Sequence, residues 1–463
     1  MSSSTHLLLK PLAGALGLLF LSGCATLSHD GGLDAVSGMV KQRTGQTVPL
    51  EGGASLSPAA AERVRTLLAQ PLSAESAVQV ALLNNPALKA SLADVGVSEA
   101  DLVQAGRIGN PALSFSRVAG GGAGEIDRGV LFSLAGLLTM PARAGIERRR
   151  FEQAQLQAAA QAVALAGATR RAFYQAVAAR QGAGFMAQVS ASAQASAELA
   201  QRMTAAGNWS QLDQAREQVF YADALAQVAR ARQQVVASDE RLVRLLGLWG
   251  PQAMLNLPER LPELPAAPRD GAGLEARAMT QRLDLQASKR DTQASASALG
   301  LTRATGFINV LDAGYANKST TGQPRENGYQ VSLELPLFDW GTARTAKAQA
   351  LYMQAVQRTA DTAIRARSEV REAYTGYRSA YDVARHYRDE VLPLRKKISG
   401  EMLLRYNGML ISVFELLADA REQITSVNTA IDAQRDFWLA DTALSAAVDG
   451  AGAVPSNEKQ DFP

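Results

Sequence analysis

Three histidines and one cysteine are all that this 463-residue chain offers in imidazole and thiol groups. His6, His29 and His386 lie far apart in sequence with no ligand set around them, so no metal site can be assembled on them. Serines lack a partner histidine, and the carboxylates are spread along helical stretches, which leaves no catalytic constellation. The Gly120-Gly121-Gly122-Ala123-Gly124 run could cradle a phosphate, but no Gly-Lys-Ser/Thr follows and no helix starts directly after it; it reads as a hairpin turn. With a net charge of +3 and 20% charged residues there is no basic field to attract nucleic acid, and Arg148-Arg149-Arg150 reads as a solvated helix face. The expectation is a protein that is not an enzyme and needs no cofactor.

Cys24 is the residue with a chemical role to play. Lys10 precedes an apolar run from Leu12 to Leu21, too short for a comfortable membrane-spanning helix, which ends in Leu21-Ser22-Gly23-Cys24-Ala25. This resembles a bacterial lipoprotein signal, and the resemblance implies that residues 1–23 are removed and Cys24 is acylated as the new N-terminus. The alternative is an ordinary secretory signal with a chance cysteine beside it. Alanine follows Cys24 where aspartate is associated with inner-membrane retention, so the resemblance implies the outer membrane. A single cysteine also excludes an internal disulfide framework.

The remaining signals are structural chemistry at two turns. A long helix beginning near Thr342 stops at Asn407-Gly408, residue types that tolerate a left-handed cap, and Ser412 with Glu415 forms a capping box that starts the next helix. Ile411 and Leu416 fit the accompanying hydrophobic staple. The device occurs earlier as well, with Gly207 as the stop and Ser210 with Asp213 as the new box.

The elements that hold these turns follow from periodicity. Residues 24–70 are rich in Gly, Ser and Ala and read as an extended arm. A helix opens at Ser73 with Ser76 as a weaker box and runs to about Ala105, broken or kinked at Asn85-Pro86. Alternation places half-buried strands at about 111–118 and 129–134. From Arg143 to Ala206 no proline interrupts a helix roughly 90 Å long, and its partner runs from Ser210 to about Leu246. A proline-dense linker occupies 251–273. The programme then restarts over 274–449, with a poorly alternating strand at about 307–315, a polar loop from Ala316 to Gly328 and a clean strand at about 329–335. Pro393 kinks the third long helix, and 450–463 is a tail.

Ser133 and Ser332, Arg143 and Arg344, and Ser210 and Ser412 are separated by 199, 201 and 202 residues. Such constancy makes 71–250 and 274–449 tandem repeats of helix, two strands and long helical hairpin. The fold class is mainly α with membrane β-strands. Four strands cannot close a barrel, and their edges in lipid would leave unpaired backbone groups, so the chain must oligomerise.

Leu72-Ser73-Ala74-Glu75 with Asn84-Asn85-Pro86-Ala87-Leu88, then Leu335-Pro336-Leu337-Phe338-Asp339-Trp340-Gly341, then Arg405-Tyr406-Asn407-Gly408 leading to Ser412-Val413-Phe414-Glu415-Leu416-Leu417, resemble the TolC-like outer-membrane efflux proteins. The likeness covers Leu72 to about Val448. It implies a homotrimer with a 12-stranded β-barrel in outer-membrane lipid, continued by a periplasmic α-helical barrel, and a periplasmic adaptor and an inner-membrane pump of RND type as partners. The function implied is that of a passive conduit in a tripartite efflux system; the alternative is a periplasmic helical scaffold or adaptor lipoprotein without a channel. In the implied architecture the tips ring the periplasmic mouth, where Asp213, Glu415 and Asp419 would form an aperture of carboxylates. Asp213 and Glu415 as mere cap residues and Asp419 as a solvent-facing one is the plainer alternative. Gly207, Trp209, Tyr406 and Gly408 are the candidate adaptor contacts. Tyr406 to Glu422 and Asp436-Phe437-Trp438-Leu439-Ala440 look like outer-membrane factors of heavy-metal exporters, which extends the cargo to metal ions. Leu137-Leu138-Thr139-Met140-Pro141 departs from the family's strand exit, and Arg202-Met203-Thr204-Ala205-Ala206-Gly207 from its Arg-Tyr-x-Gly tip.

Overall fold

Each half of the chain enters through a helix that breaks after two or three turns. In the computed structural model, which describes residues 26–48, 57–121, 123–307 and 310–450, the first break falls at Asn85. Its ψ of 120° is the extended conformation forced on a residue before proline, and it separates α3 (Ala74–Asn84) from α4 (Pro86–Ala105). Arg282, with ψ 126°, makes the equivalent break between α7 (Leu274–Gln281) and α8 (Leu283–Ala304) without a proline. The Ser73–Ser76 box is present, with both reciprocal bonds.

The N-terminal arm is helical where an extended chain was expected. It carries α1 (Leu33–Thr44) and α2 (Pro58–Leu68). Leu33, Val36 and Val40 recur at helical spacing and are buried, and Ser57 caps α2 with Pro58 at its first turn. These signals are short, and the surrounding Gly and Ser hid them. Cys24 and the signal segment lie outside the described residues.

The strands are β1 (Ala112–Gly120), β2 (Ala123–Ser133), β3 (Leu311–Thr320) and β4 (Glu326–Leu333), in one antiparallel sheet of order β1-β2-β3-β4. Residues assigned to loops, Ala123 to Arg128 and Ala316 to Thr320, pair fully, because ladder bonds to a neighbouring strand outweigh weak alternation. Phe307 stays outside β3 and meets Trp340 edge-on at 6.1 Å. The β2–β3 ladder joins one repeat to the other.

Register sorts the side chains onto two faces. Leu113, Val130, Tyr315 and Tyr329 stand in one cross-strand row, with Phe132, Ala313 and Val331 in the next on the same side. The opposite face carries Ser114, Gly129, Ala316 and Gly328 in one row and Ser116, Asp127, Lys318 and Glu326 in another. Only the edge strands depart from the half-buried expectation: β1 and β4 are exposed throughout, with Leu113 80% and Tyr329 94% exposed, whereas β2 and β3 between them are mostly of intermediate burial. Neither β1 nor β4 has a second partner strand among the described residues.

β2 passes directly into α5 (Leu134–Ala205), which starts nine residues before the expected Arg143 and contains Pro141. Pro141 has no N–H for the Leu137 carbonyl four residues back; beside it Thr139 Oγ1 donates to the Ala135 carbonyl (2.7 Å) and Arg143 Nη2 to that of Gly136 (2.6 Å). α6 (Gln211–Leu246) returns. In the second half α9 (Thr342–His386) continues through a π turn, Tyr387–Val391, into α10 (Leu392–Asn407), and α11 (Val413–Asp449) returns. The π turn is how the helix accommodates Pro393: the Leu392 N–H reaches back to the Tyr387 carbonyl, widening the turn that the proline cannot bond.

The chain divides into two compact units, and these are not the two repeats. One contains the sheet with Leu92–Gln157 and Leu285–Thr362; the other contains Ala158–Asp284 and the chain from Ala363. In the second, Leu72, Phe173, Leu242 and Leu246 share one core, and Tyr377, Tyr381, Phe437 and Leu444 another. Tyr174 stacks on Trp438 at 5.1 Å between them.

In this unit each returning helix ends against a break. Asn84 Nδ2 donates to the carbonyls of Leu246 (3.0 Å) and Gly247 (2.8 Å), and Asn85 Nδ2 to that of Leu245 (2.9 Å). Arg282, 2% exposed, does the same for the Ala447 carbonyl (2.8 Å) while bonded to Asp284 and Glu369. Gly247 and Gly450 are left-handed at φ 67° and 75°. A Cβ at Gly247 would lie 2.9 Å from the Asn84 carbonyl oxygen, whereas one at Gly207, φ 74°, meets nothing within 4 Å. Gly207→Ala is therefore expected to cost about 1 kcal/mol from backbone strain alone, and Gly247→Ala roughly 2–4 kcal/mol as the clash adds to the strain. Thermal unfolding of the purified variants measures the difference; equal losses would show that the break does not set the helix end.

Candidate functional site at the hairpin tips

Both tips close with the same backbone motif. At the first, the Gly207 N–H bonds the Thr204 carbonyl (3.0 Å) and the Asn208 N–H that of Met203 (2.9 Å). At the second, the Met409 N–H bonds Tyr406 (2.9 Å) and the Leu410 N–H bonds Arg405 (2.8 Å). Each is a Schellman cap with its left-handed residue in the middle. That residue is Gly207 in the first tip, as expected, but Met409 (φ 57°) in the second. Gly408 sits one position early, at φ −80°. The expected glycine cap is thus displaced: the second helix runs one residue past the position glycine would suit.

The restarts differ too. Ser412 and Glu415 make the full capping box: the Glu415 N–H donates to Ser412 Oγ (3.3 Å) and the Ser412 N–H to Glu415 Oε2 (2.8 Å). At the first tip Ser210 Oγ accepts the Asp213 N–H (3.1 Å), but its hydroxyl donates to the Asp213 carboxylate (2.6 Å) in place of a reciprocal backbone bond. Asp213 is one methylene shorter than Glu415 and turns to Arg216 at 3.3 Å.

Of the three candidate aperture carboxylates, Glu415 is exposed, Asp213 is partly exposed and Asp419 is buried. Asp419 accepts the Ser399 hydroxyl at 2.6 Å, which pins α10 to α11. Trp209 meets Phe414 at 4.8 Å with the rings tilted by 30°, so the first tip leans on the second hairpin. Tyr406 and Gly408 are exposed beside Met409 and Leu410, themselves 93% and 77% exposed, an apolar tip that no described residue covers.

Sequence reasoning missed the strongest link at this end. Glu217, 3% exposed, accepts from Arg421 Nη2 (2.8 Å) and from the Ser196 hydroxyl (2.8 Å), joining α5 and α6 to α11. The Arg421 guanidinium also lies 4.4 Å from the centre of the Phe220 ring. The partners are 204 residues apart, and no local signal in the sequence hints at the contact.

No family model matches the chain, and no curated protein matches it. Solved structures do. The CmeC outer membrane channel of Campylobacter jejuni has a TM-score of 0.70 at 14% identity, over 86% of this chain and 87% of that one. The open state of the Neisseria gonorrhoeae MtrE outer membrane channel gives 0.67 at 16%, over 84% and 89%. A membrane protein from Pseudomonas aeruginosa gives 0.69 at 20%, over 83% and 93%. The chain has the TolC-like outer-membrane channel fold.

Within that fold the tips separate strain from strength. Met409→Gly is expected to raise stability and Met409→Val to lower it, a spread of about 1–2 kcal/mol set by the left-handed backbone; unfolding midpoints read it, and an unchanged order would move the cap elsewhere. A double-mutant cycle of Glu217→Gln with Arg421→Gln should give a coupling of roughly 1–3 kcal/mol, against about 0.5 kcal/mol or less for Asp213→Asn with Arg216→Gln on the helix surface.

Proposed function

We propose that three copies of this chain form an outer-membrane channel that carries substrates from a pump and adaptor across the periplasm and outer membrane. The carrying observation is the sheet: four strands with one apolar and one polar, small-residue face, and two edges without partners. In lipid, each unpaired edge group costs several kcal/mol, so only closure with further copies removes the penalty. Three such sheets supply twelve strands, with the apolar face to lipid and the Ser, Gly and Asp127 face to water. No described helix is long and apolar enough to cross a membrane.

The long hairpins then form the periplasmic conduit, with Cys24 acylated as an added anchor. Around the mouth, Glu415 and Asp213 from each copy place carboxylates that favour cations, and the Asp419–Ser399 bond holds the hairpin at its working spacing. The exposed Tyr406, Gly408, Met409 and Leu410, with Gly207 and Trp209, are the surface for the adaptor. The protein is a passive conduit, and its cargo, metal ions included, is set by the pump.

The test is electrophoresis of outer-membrane extracts without and with boiling. A heat-sensitive band near three times the 49.0 kDa chain, together with conductance in planar bilayers, is the expected result. A monomer released from the periplasm by salt alone would make the protein a helical scaffold.

A further inference from the structure

The charged residues of the sheet are sorted by sign as well as by face. On the apolar face the register places only two, Arg117 and Arg128. Every acidic residue of the strands, Glu125, Asp127, Asp312 and Glu326, falls on the other face, where Lys318 pairs with Glu125. The two arginines stand diagonally adjacent on neighbouring strands, since Arg117 lies opposite Ile126 and Phe115 opposite Arg128. The Arg117 side chain makes no hydrogen bond or ion pair with any described residue. Arg128 reaches only a neutral partner, Asn317 Oδ1 at 3.2 Å.

Their height along the strands is equally specific. β2 enters α5 at its Ser133 end, so the helices attach at one end of the sheet and the hairpin turns lie at the other. From the helical end the outward rows are Leu311 and Leu333, then Phe132 with Val331, then the Leu113, Val130, Tyr315 and Tyr329 row. One step further polar side chains enter the face: Arg128, Asn317 and Asn327 share a row with Phe115, tied by Asn317 Nδ2 to Asn327 Oδ1 (2.8 Å), with the Tyr315 hydroxyl on the same oxygen (2.6 Å). Arg117 lies beyond it. Guanidinium groups facing lipid with no carboxylate are costly inside the hydrocarbon and well placed at its edge, where a planar donor fork suits phosphate oxygens.

We propose that Arg117 and Arg128 bind the phosphate groups of the phosphorylated glycolipid of the outer leaflet. The inference rests on the channel reading, which puts the helices in the periplasm and the hairpin turns outside. Asn317 closes the site from the side and orients Arg128. Three such sites around a trimer would anchor a ring of lipid at the outer rim of the barrel.

Native mass spectrometry of trimers purified from outer membranes tests it. The unmodified protein should retain phosphorylated glycolipid, and the Arg117→Gln/Arg128→Gln variant roughly tenfold less. Arg117→Lys/Arg128→Lys should recover part of the retention, and Lys318→Gln, on the opposite face, should leave it unchanged. A heat-sensitive trimer band confirms that each variant is folded. In the second arm, a bisphosphorylated glycolipid added to delipidated protein should raise the melting midpoint of the unmodified chain and not of the Gln variant. An equal rise with phosphatidylglycerol vesicles would overturn the outer-leaflet source. A trimer in the outer membrane that retains no glycolipid, or loses as much in Lys318→Gln, overturns this proposal alone; a chain that never reaches that membrane overturns the channel reading beneath it.

Discussion

The clamp between each returning helix and the break in the helix that opens its repeat is the interaction on which the helical unit depends. A long helix ends with carbonyls that have no partner of their own, and buried carbonyls must find donors. Here the donors come from the break itself: the Asn84 and Asn85 amides in one repeat and the Arg282 guanidinium in the other. The break is needed because an unbroken helix would keep its backbone groups to itself and turn its side chains elsewhere. Left-handed Gly247 and Gly450 let the two backbones approach, and around each contact sits one of the two apolar cores of that unit. The two solutions are chemically unlike, a pair of amides and a buried cation with Asp284 and Glu369, yet each satisfies carbonyls in the last turn of its returning helix.

The sheet follows a different constraint. Among the described residues, large apolar side chains stand uncovered on one face and both edges are unpaired, an arrangement a soluble chain avoids. The β2–β3 ladder makes the two repeats contribute to one continuous surface, so the duplication is expressed in the order of elements and not in separate bodies. Alternation that looks weak in β3 is explained by its place: a central strand flanked by β2 and β4 is held by ladder bonds on both sides and can carry Ala, Asn and Ser.

At the tips, capping chemistry and hairpin contacts divide the work. The Schellman caps and the Ser412–Glu415 box decide where each helix stops and starts, while Trp209 on Phe414 and Glu217 with Arg421 hold one hairpin to the other. The outermost residues, Met409 and Leu410, are left uncovered by these contacts. An apolar end presented on a braced pair of hairpins is a surface suited to a partner, which is the role the channel reading gives it.

Local signals determined most of the element order: the break at Asn85, the caps at Ser73, Ser210 and Ser412 and the stop at Gly207 can be read because each depends on residues within one turn of each other, whereas the break at Arg282, which has no proline, carries no such signal. Helical arms at Leu33 and Pro58 were legible in principle but too short to stand out against glycine and serine. Tertiary structure alone decided the rest. Which residue takes the left-handed position at the second tip, Met409 and not Gly408, depends on how far the helix runs before its partner begins. Asp419 looked like a free carboxylate until Ser399 was found opposite it, and Glu217 with Arg421 is invisible in a sequence that separates them by 204 residues. The strand ends and the two faces of the sheet depend likewise on cross-strand register, a relation between segments that no single segment contains.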